Sequence, residues 1–79
     1  MLQPMSERAI RARVVGDVQG VGFRDATRRV ADSHHVHGWV RNEPDGSVAV
    51  HAEGSPDALD ALVTFLRRGP RGASVHEVA

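Results

Sequence analysis

The sequence predicts an α+β domain in which two helices pack on one face of an antiparallel sheet. Three observations lead to this prediction. The chain opens with strand-like alternation, its middle carries a strand–turn–strand pattern, and a helical pattern follows the first and the third strand-like segments. The order is therefore strand, helix, strand, strand, helix, strand.

Length and charge limit the classes of protein that this chain can represent. Its 79 residues suffice for one domain, and 41% hydrophobic with 25% charged residues is typical of a globular protein. Ten basic and ten acidic residues give a formal net charge of zero, which argues against a nucleic-acid partner. We expect a flexible tail over residues 1–6 and the domain over residues 7–79.

The chain contains no cysteine. This excludes a disulfide, a thiolate zinc site and a cysteine nucleophile, and it favours the cytoplasm as the location. The opening "MLQPMSERAI" has neither a long apolar run nor a basic leader. We therefore expect no signal peptide and no association with a membrane.

The first strand and the first helix flank a glycine-rich loop. Apolar and basic residues alternate from Arg8 to Val15, as in a half-buried strand. The polar stretch from Phe23 to His35 predicts a weakly amphipathic helix. Its predicted buried stripe consists of Phe23, Thr27, Val30 and His34.

The stretch "VHGWVRNEPDGSVAVHAEG" predicts a β-hairpin. Its strands are predicted over Val36–Asn42 and Ser47–Glu53, because Pro44, Asp45 and Gly46 between them favour a turn. In the second strand, one apolar face is formed by Val48, Val50 and Ala52, and the opposite face carries Ser47, Ala49 and His51.

The second helix has the strongest local signals. Ser55 suits the N-cap, Pro56 suits the first helical position, and Gly69 with Pro70 ends the helix after Arg68. Its predicted buried face consists of Leu59, Leu62, Val63, Phe65 and Leu66. A short last strand is predicted in "ASVHEVA". The six elements give the βαββαβ order of a ferredoxin-like sandwich, a fold that hosts enzymes and nucleic-acid binders alike.

The loop "GDVQGVGFR" is compatible with two interpretations. Its glycines, Gly16, Gly20 and Gly22, can form a tight connection from strand to helix. They can equally let successive backbone N–H groups converge on an anion at a helix N-terminus, with Arg24 forking onto phosphate oxygens. The spacing matches no dinucleotide fingerprint, and there is no Walker lysine, so nucleotide binding is not expected.

Asn42, at a predicted strand end, also has two interpretations. Asparagine commonly forms turns, but its amide can also hold a water molecule by donating to it and accepting from it. His35 and His37 lack further ligands, so no metal site is expected. Trp39 is interpreted as a packing residue on the sheet, because one aromatic residue makes no platform for stacked bases.

Two stretches together resemble one known family. "VVGDVQGVGFR", followed after one helix by "GWVRNEPDGSVAVHAEG", is similar to acylphosphatases. The resemblance implies a ferredoxin-like fold and hydrolysis of the carboxyl–phosphate bond of small acyl phosphates without metal or cofactor. We further expect a monomer. The alternative is a phosphate-binding module of the same fold without turnover.

The resemblance also implies the site residues. Arg24 and Asn42 match the family's catalytic arginine and asparagine. The phosphate would be bound by Gln19, Gly20, Val21, Gly22, Phe23 and Arg24, mainly through backbone N–H groups, while Asn42 would orient the attacking water.

The sequence departs from the family pattern at two places. Asp25 and Ala26 follow Arg24, where the family usually has bulky or aromatic residues. The family usually continues beyond "VHEV" into a further strand, so the C-terminal strand looks shortened. We expect the sheet edge beside the Asn42 strand to be unpaired.

Overall fold

Two helices pack on one face of a four-stranded antiparallel sheet. The computed structural model describes residues 8–79, and the predicted tail over residues 1–6 lies outside them. The elements are β1 (Arg8–Asp17), α1 (Phe23–Ser33), β2 (His37–Asn42), β3 (Val48–Gly54), α2 (Pro56–Arg68) and β4 (Ser74–Val78). This order and the sheet confirm the predicted ferredoxin-like α+β fold.

The sheet has the strand order β2-β3-β1-β4, and every neighbouring pair is antiparallel. β1 extends beyond the predicted end at Val15 to Asp17, with a register shift between Val15 and Gly16. Gly16 has a φ of 139°, and a Cβ there would lie 2.1 Å from the carbonyl oxygen of Ser74. Gly16 therefore serves strand pairing, and the prediction that placed it in the loop is wrong.

The core lies between the sheet and the helices. The predicted face of β3 is buried, with Val48, Val50 and Ala52 each at most 3% exposed. Ser47 was predicted on the opposite, mixed face, but it precedes β3 and is buried at 3% exposure. Its hydroxyl donates to Asp45, which satisfies the polar group at this buried position.

α1 is shorter than predicted. It ends at Ser33 instead of continuing to His35, because His35 adopts a positive φ of 59° that reverses the chain. Phe23 and Thr27 are buried as predicted, while His34 caps the helix and is exposed. The turn allows the N–H of Val36 to donate to the carbonyl of Ala31 at 2.8 Å.

α2 begins and ends where its capping signals predict. Ser55 Oγ accepts a hydrogen bond from the N–H of Ala58 at 3.2 Å, Pro56 is the first helical residue, and Gly69 follows the last one. The N–H of Gly69 donates to Phe65 at 2.6 Å. Its buried residues are Ala58, Leu59, Leu62 and Leu66, whereas Val63 and Phe65 are half-buried. In residues 8–79, no helix is long and apolar enough to cross a bilayer, for which about 20 residues are needed.

β2 forms one edge of the sheet, and within residues 8–79 it pairs with β3 alone. Trp39 on this strand is 41% exposed. The guanidinium of Arg41 lies 4.5 Å from the centre of the Trp39 ring. The ring of His51 is stacked on the ring of Trp39, with 5.9 Å between the two ring centres. Trp39 thus packs on the sheet, as predicted, through contacts with neighbouring side chains.

Candidate active site

The loop between β1 and α1 is held at both ends by the core. Val18 is 1% exposed and Phe23 is 2% exposed. Between them, Gly20 and Gly22 have φ angles of 78° and 76°. A Cβ at either glycine would meet no heavy atom within 4 Å, so glycine is favoured here by backbone conformation and not by close packing.

Within the described residues, the backbone N–H groups at the end of this loop and at the start of α1 have no backbone partner. The first hydrogen bond of α1 runs from Ala26 to Gly22 at 3.0 Å, and Gly22 has no side chain to cap the helix. Within residues 8–79, no N–H from Gln19 to Asp25 donates to another backbone group. The free N–H groups and the positive end of the helix dipole favour an anion at this position.

A cavity of about 180 Å³ lies beside this loop and the start of α1. It is lined by Val18, Gly20, Gly22, Phe23, Arg24, Asp25 and Asn42. Arg24 is the second residue of α1 and Asn42 is the last residue of β2. The fold therefore brings Arg24, with its guanidinium group, and Asn42, with its amide group, to one cavity.

Two of the predicted phosphate-binding residues do not line this cavity. The side chain of Val21 is half-buried and packs against the core. The side chain of Gln19 instead reaches the loop between β2 and β3. The cavity therefore does not support a side-chain role for Gln19 or Val21 in phosphate binding, and a role for their backbone N–H groups stays a prediction.

Arg24 differs from Arg13 and Arg41, which lie on the helix-free face of the sheet, the face opposite α1 and α2. Arg41 is paired with Glu43 at 2.6 Å, and Arg13 is paired with Asp45. In the described part of the chain, Arg24 forms no ion pair, although Asp25 lines the same cavity. Its guanidinium donors are thus available to a planar, bidentate acceptor such as phosphate.

The loop that follows Asn42 is closed by a compact set of hydrogen bonds. The N–H of Glu43 donates to Ser47 at 2.9 Å. Asp45 accepts from the N–H of Ser47 at 2.9 Å and from its hydroxyl at 2.6 Å, and it also pairs with Arg13. These bonds from Ser47, followed by that from Arg13, lower the pKa of Asp45 to about 2.

A side-chain contact that was not predicted from the sequence joins the glycine-rich loop to this hairpin loop. Gln19 Nε2 donates to the carbonyl oxygen of Glu43 at 2.8 Å and to that of Ser47 at 2.9 Å. No local pattern reveals such a contact, because its partners are 24 and 28 residues away in the sequence. The bond from the N–H of Ser47 to Asp45 could have been predicted, since an aspartate side chain in a turn commonly accepts from the backbone N–H two residues later.

Comparison with known sequences agrees with the resemblance seen in the motifs. The sequence profile of the acylphosphatase family matches residues 10–79. An acylphosphatase of Salinibacter ruber is 53% identical over 73 residues, which cover 92% of this chain and 77% of that protein.

Solved structures of acylphosphatases have the same fold as this chain. An acylphosphatase from Coxiella burnetii superposes with a TM-score of 0.91 at 37% identity, over 95% of this chain and 79% of that chain. The acylphosphatase from Bacillus subtilis gives a TM-score of 0.88 at 38% identity, over 90% of this chain and 79% of that chain. By sequence and by structure, this chain belongs to the acylphosphatase family.

Proposed function

We propose that this enzyme hydrolyses the carboxyl–phosphate bond of small acyl phosphates and that Arg24 and Asn42 carry the reaction. The observation that supports this most directly is their common cavity beside the unpaired N–H groups of the glycine-rich loop. Family membership supports the same class of substrate.

The phosphoryl group binds to the loop. Backbone N–H groups from Gln19 to Arg24 surround its oxygens, and the Arg24 guanidinium donates two parallel hydrogen bonds to them. These donors are fixed by the fold before the substrate arrives. They therefore stabilise negative charge on the phosphoryl oxygens in the transition state without reorganising.

Asn42 orients the attacking water. Its amide donates one hydrogen bond to the water and accepts another, which aligns the water opposite the leaving carboxylate. The water oxygen forms a bond to phosphorus while the bond from phosphorus to the acyl oxygen breaks. Because an amide cannot act as a general base, the proton passes to a phosphoryl oxygen of the substrate, and the products are a carboxylate and inorganic phosphate.

No metal and no general acid are required by this chemistry. The leaving group is a carboxylate whose conjugate acid has a pKa of about 4, so it departs without being protonated. Positive charge for the phosphoryl group comes from Arg24 and from the N-terminus of α1. The proposed reaction accordingly depends on positioning and electrostatics alone.

The site is proposed to recognise the phosphate more than the acyl group. The cavity of about 180 Å³ is smaller than the roughly 300–1,000 Å³ of pockets for drug-sized ligands. Arg24 and Asn42 come from one chain, which supports a monomer as the active unit, and the lack of cysteine supports action in the cytoplasm. Light scattering during gel filtration tests the oligomeric state.

The function is tested with benzoyl phosphate. Hydrolysis is followed by ultraviolet absorbance in buffer with EDTA and in the same buffer without it, against an enzyme-free control. We expect the same rate in both. Binding of inorganic phosphate without hydrolysis would instead identify a non-catalytic module, and activity lost to EDTA and restored by a metal would overturn the metal-free mechanism.

A further inference from the structure

The side-chain amide of Gln19 links the two halves of the proposed site. Its nitrogen donates to the carbonyl oxygens of Glu43 and Ser47, at 2.8 and 2.9 Å. These two residues close the hairpin loop, because the N–H of Glu43 donates to the same Ser47 oxygen at 2.9 Å. One side chain from the glycine-rich loop is thus bonded to both ends of the loop that follows Asn42.

The chemistry of this contact fixes the orientation of the amide. Two carbonyl oxygens accept hydrogen bonds and cannot donate, so only the NH₂ group of Gln19 can lie between them. Both of its hydrogens are used. A glutamate of the same shape would place a carboxylate oxygen against two carbonyl oxygens, while a methionine would fill similar space with no hydrogen bond.

Asn42 needs such support because its own side chain is exposed at a sheet edge. Glu43 follows Asn42 directly in the chain and is the first residue beyond β2. A hydrogen bond to the backbone of Glu43 therefore restrains the adjoining backbone of Asn42. The loop that carries Gln19 also lines the cavity through Gly20 and Gly22.

We propose that Gln19 is a positioning residue that sets the place of Asn42 relative to the phosphate-binding loop. This inference rests on the proposed function of the site. It assigns to the side chain of Gln19 a role separate from its backbone N–H, because the backbone binds phosphate while the side chain aligns the residue that holds the water.

A second contact to the same hairpin loop supplies a matched control. Arg13, on β1, donates to Ser47 Oγ at 3.3 Å and pairs with Asp45. Like Gln19, it holds the hairpin loop through two bonds. Unlike Gln19, it comes from the helix-free face of the sheet and does not connect to the phosphate-binding loop.

The test compares Gln19→Met with Arg13→Met in the full chain. For each variant, kcat for benzoyl phosphate, the inhibition constant of inorganic phosphate and the Tm are measured. A displacement of about 1 Å can slow a reaction on the order of 100-fold, so we expect Gln19→Met to lower kcat by about 10- to 100-fold. The phosphate inhibition constant should change less than about threefold, since the backbone N–H groups remain. Arg13→Met should lower the Tm and leave kcat unchanged.

A double-mutant cycle with Asn42→Ala separates positioning from general stability. If Gln19 acts through Asn42, then Gln19→Met should have almost no further effect on kcat once Asn42 is alanine. An equal decrease of kcat in both backgrounds would overturn the proposal, as would a Tm decrease with unchanged kcat. Gln19→Glu provides a second variant and should impair kcat at least as much as Gln19→Met.

A readout without substrate distinguishes this inference from the proposed function. The side-chain NH₂ resonances of Asn42, assigned in two-dimensional NMR spectra, should shift or broaden in Gln19→Met and stay in place in Arg13→Met. An inactive wild-type protein with these NMR changes would contradict the function and leave the positioning role supported. Unchanged Asn42 resonances in Gln19→Met would overturn the positioning role, even if the wild-type protein hydrolyses benzoyl phosphate.

Discussion

The two helices begin in opposite ways. α2 starts with a serine that accepts a hydrogen bond from the N–H of Ala58 and with Pro56, which has no N–H to satisfy. The N-cap of α1 is Gly22, which offers no capping side chain, and the N–H groups before the first internal bond of α1 are unpaired within residues 8–79.

The difference shows that the N-terminus of α1 lacks the side-chain cap that stabilises the N-terminus of α2. A side-chain cap contributes about 1 kcal/mol to a helix. At α2 the sequence provides this stabilisation itself, whereas at α1 the first N–H groups have no partner within residues 8–79. The helix start that is weaker in the free protein is therefore the one suited to binding an anion.

The largest expected effect comes from removing the positive charge of Arg24 at the uncapped N-terminus of α1. Arg24→Ala should lower kcat/KM for benzoyl phosphate by at least about 10³-fold, because a charged donor to the transferring phosphoryl group is lost. Inorganic phosphate should also inhibit more weakly. Steady-state kinetics measures both quantities. Arg28→Ala, which removes an exposed arginine from the same helix, is the matched control and should leave both unchanged.

Asn42→Ala tests whether the uncapped N-terminus of α1, with Arg24, is sufficient to bind phosphate without Asn42. We expect kcat to decrease by about 10²- to 10³-fold, since the water loses its orientation, while the phosphate inhibition constant stays near the wild-type value. Steady-state kinetics measures kcat, and calorimetric titration measures the affinity for phosphate separately. Near-normal turnover in this variant would contradict the role assigned to Asn42.

Gly22→Ala tests the backbone conformation that keeps the N–H groups free. Alanine at a φ of 76° is strained, so we expect the free energy of unfolding to fall by roughly 1–2 kcal/mol, together with weaker phosphate binding. Urea unfolding measures the first and calorimetry the second. Gly22→Asn should recover part of the stability, because asparagine tolerates this region; equal losses for both variants would argue against conformational strain.

The same contrast explains which features were predictable from the sequence. α2 could be bounded because Ser55, Pro56 and Gly69 act on their immediate neighbours. The end of α1 could not, since the turn at His35 uses a positive φ without glycine. The resemblance to a family predicted Arg24 and Asn42 as site residues, and the fold places both at one cavity. The bonds from Gln19 to the hairpin loop join residues far apart in sequence, which local patterns do not encode.

Ser55→Ala tests the capped helix start. The variant should lose about 1 kcal/mol of unfolding free energy, because the N–H of Ala58 loses its acceptor, with a Tm decrease of about 4–8 °C. Hydrolysis of benzoyl phosphate at 25 °C should be unchanged. Thermal unfolding and kinetics on the same preparation check this. A large loss of activity with a normal Tm would show that α2 contributes to the site directly.

The smallest expected effect concerns Asp45, whose carboxylate satisfies an N–H within the hairpin loop, much as Ser55 does at α2. Its pKa is lowered from 3.8 to about 2, first by the hydrogen bonds from Ser47 and then by Arg13. A lowered pKa in the folded state stabilises the fold above the ordinary pKa, and this stabilisation is lost as the pH falls through about 2.

Urea unfolding of the wild-type protein and of Asp45→Asn from pH 5 to pH 2 measures this contribution. The wild-type protein should be the more stable near pH 5, and the difference between the two should shrink between about pH 4 and pH 2, where the carboxylate takes up a proton. Both proteins carry the same residues at every other position, so the difference isolates residue 45. A difference that stays constant over this range would show that the turn depends on the shape of residue 45 and not on its charge.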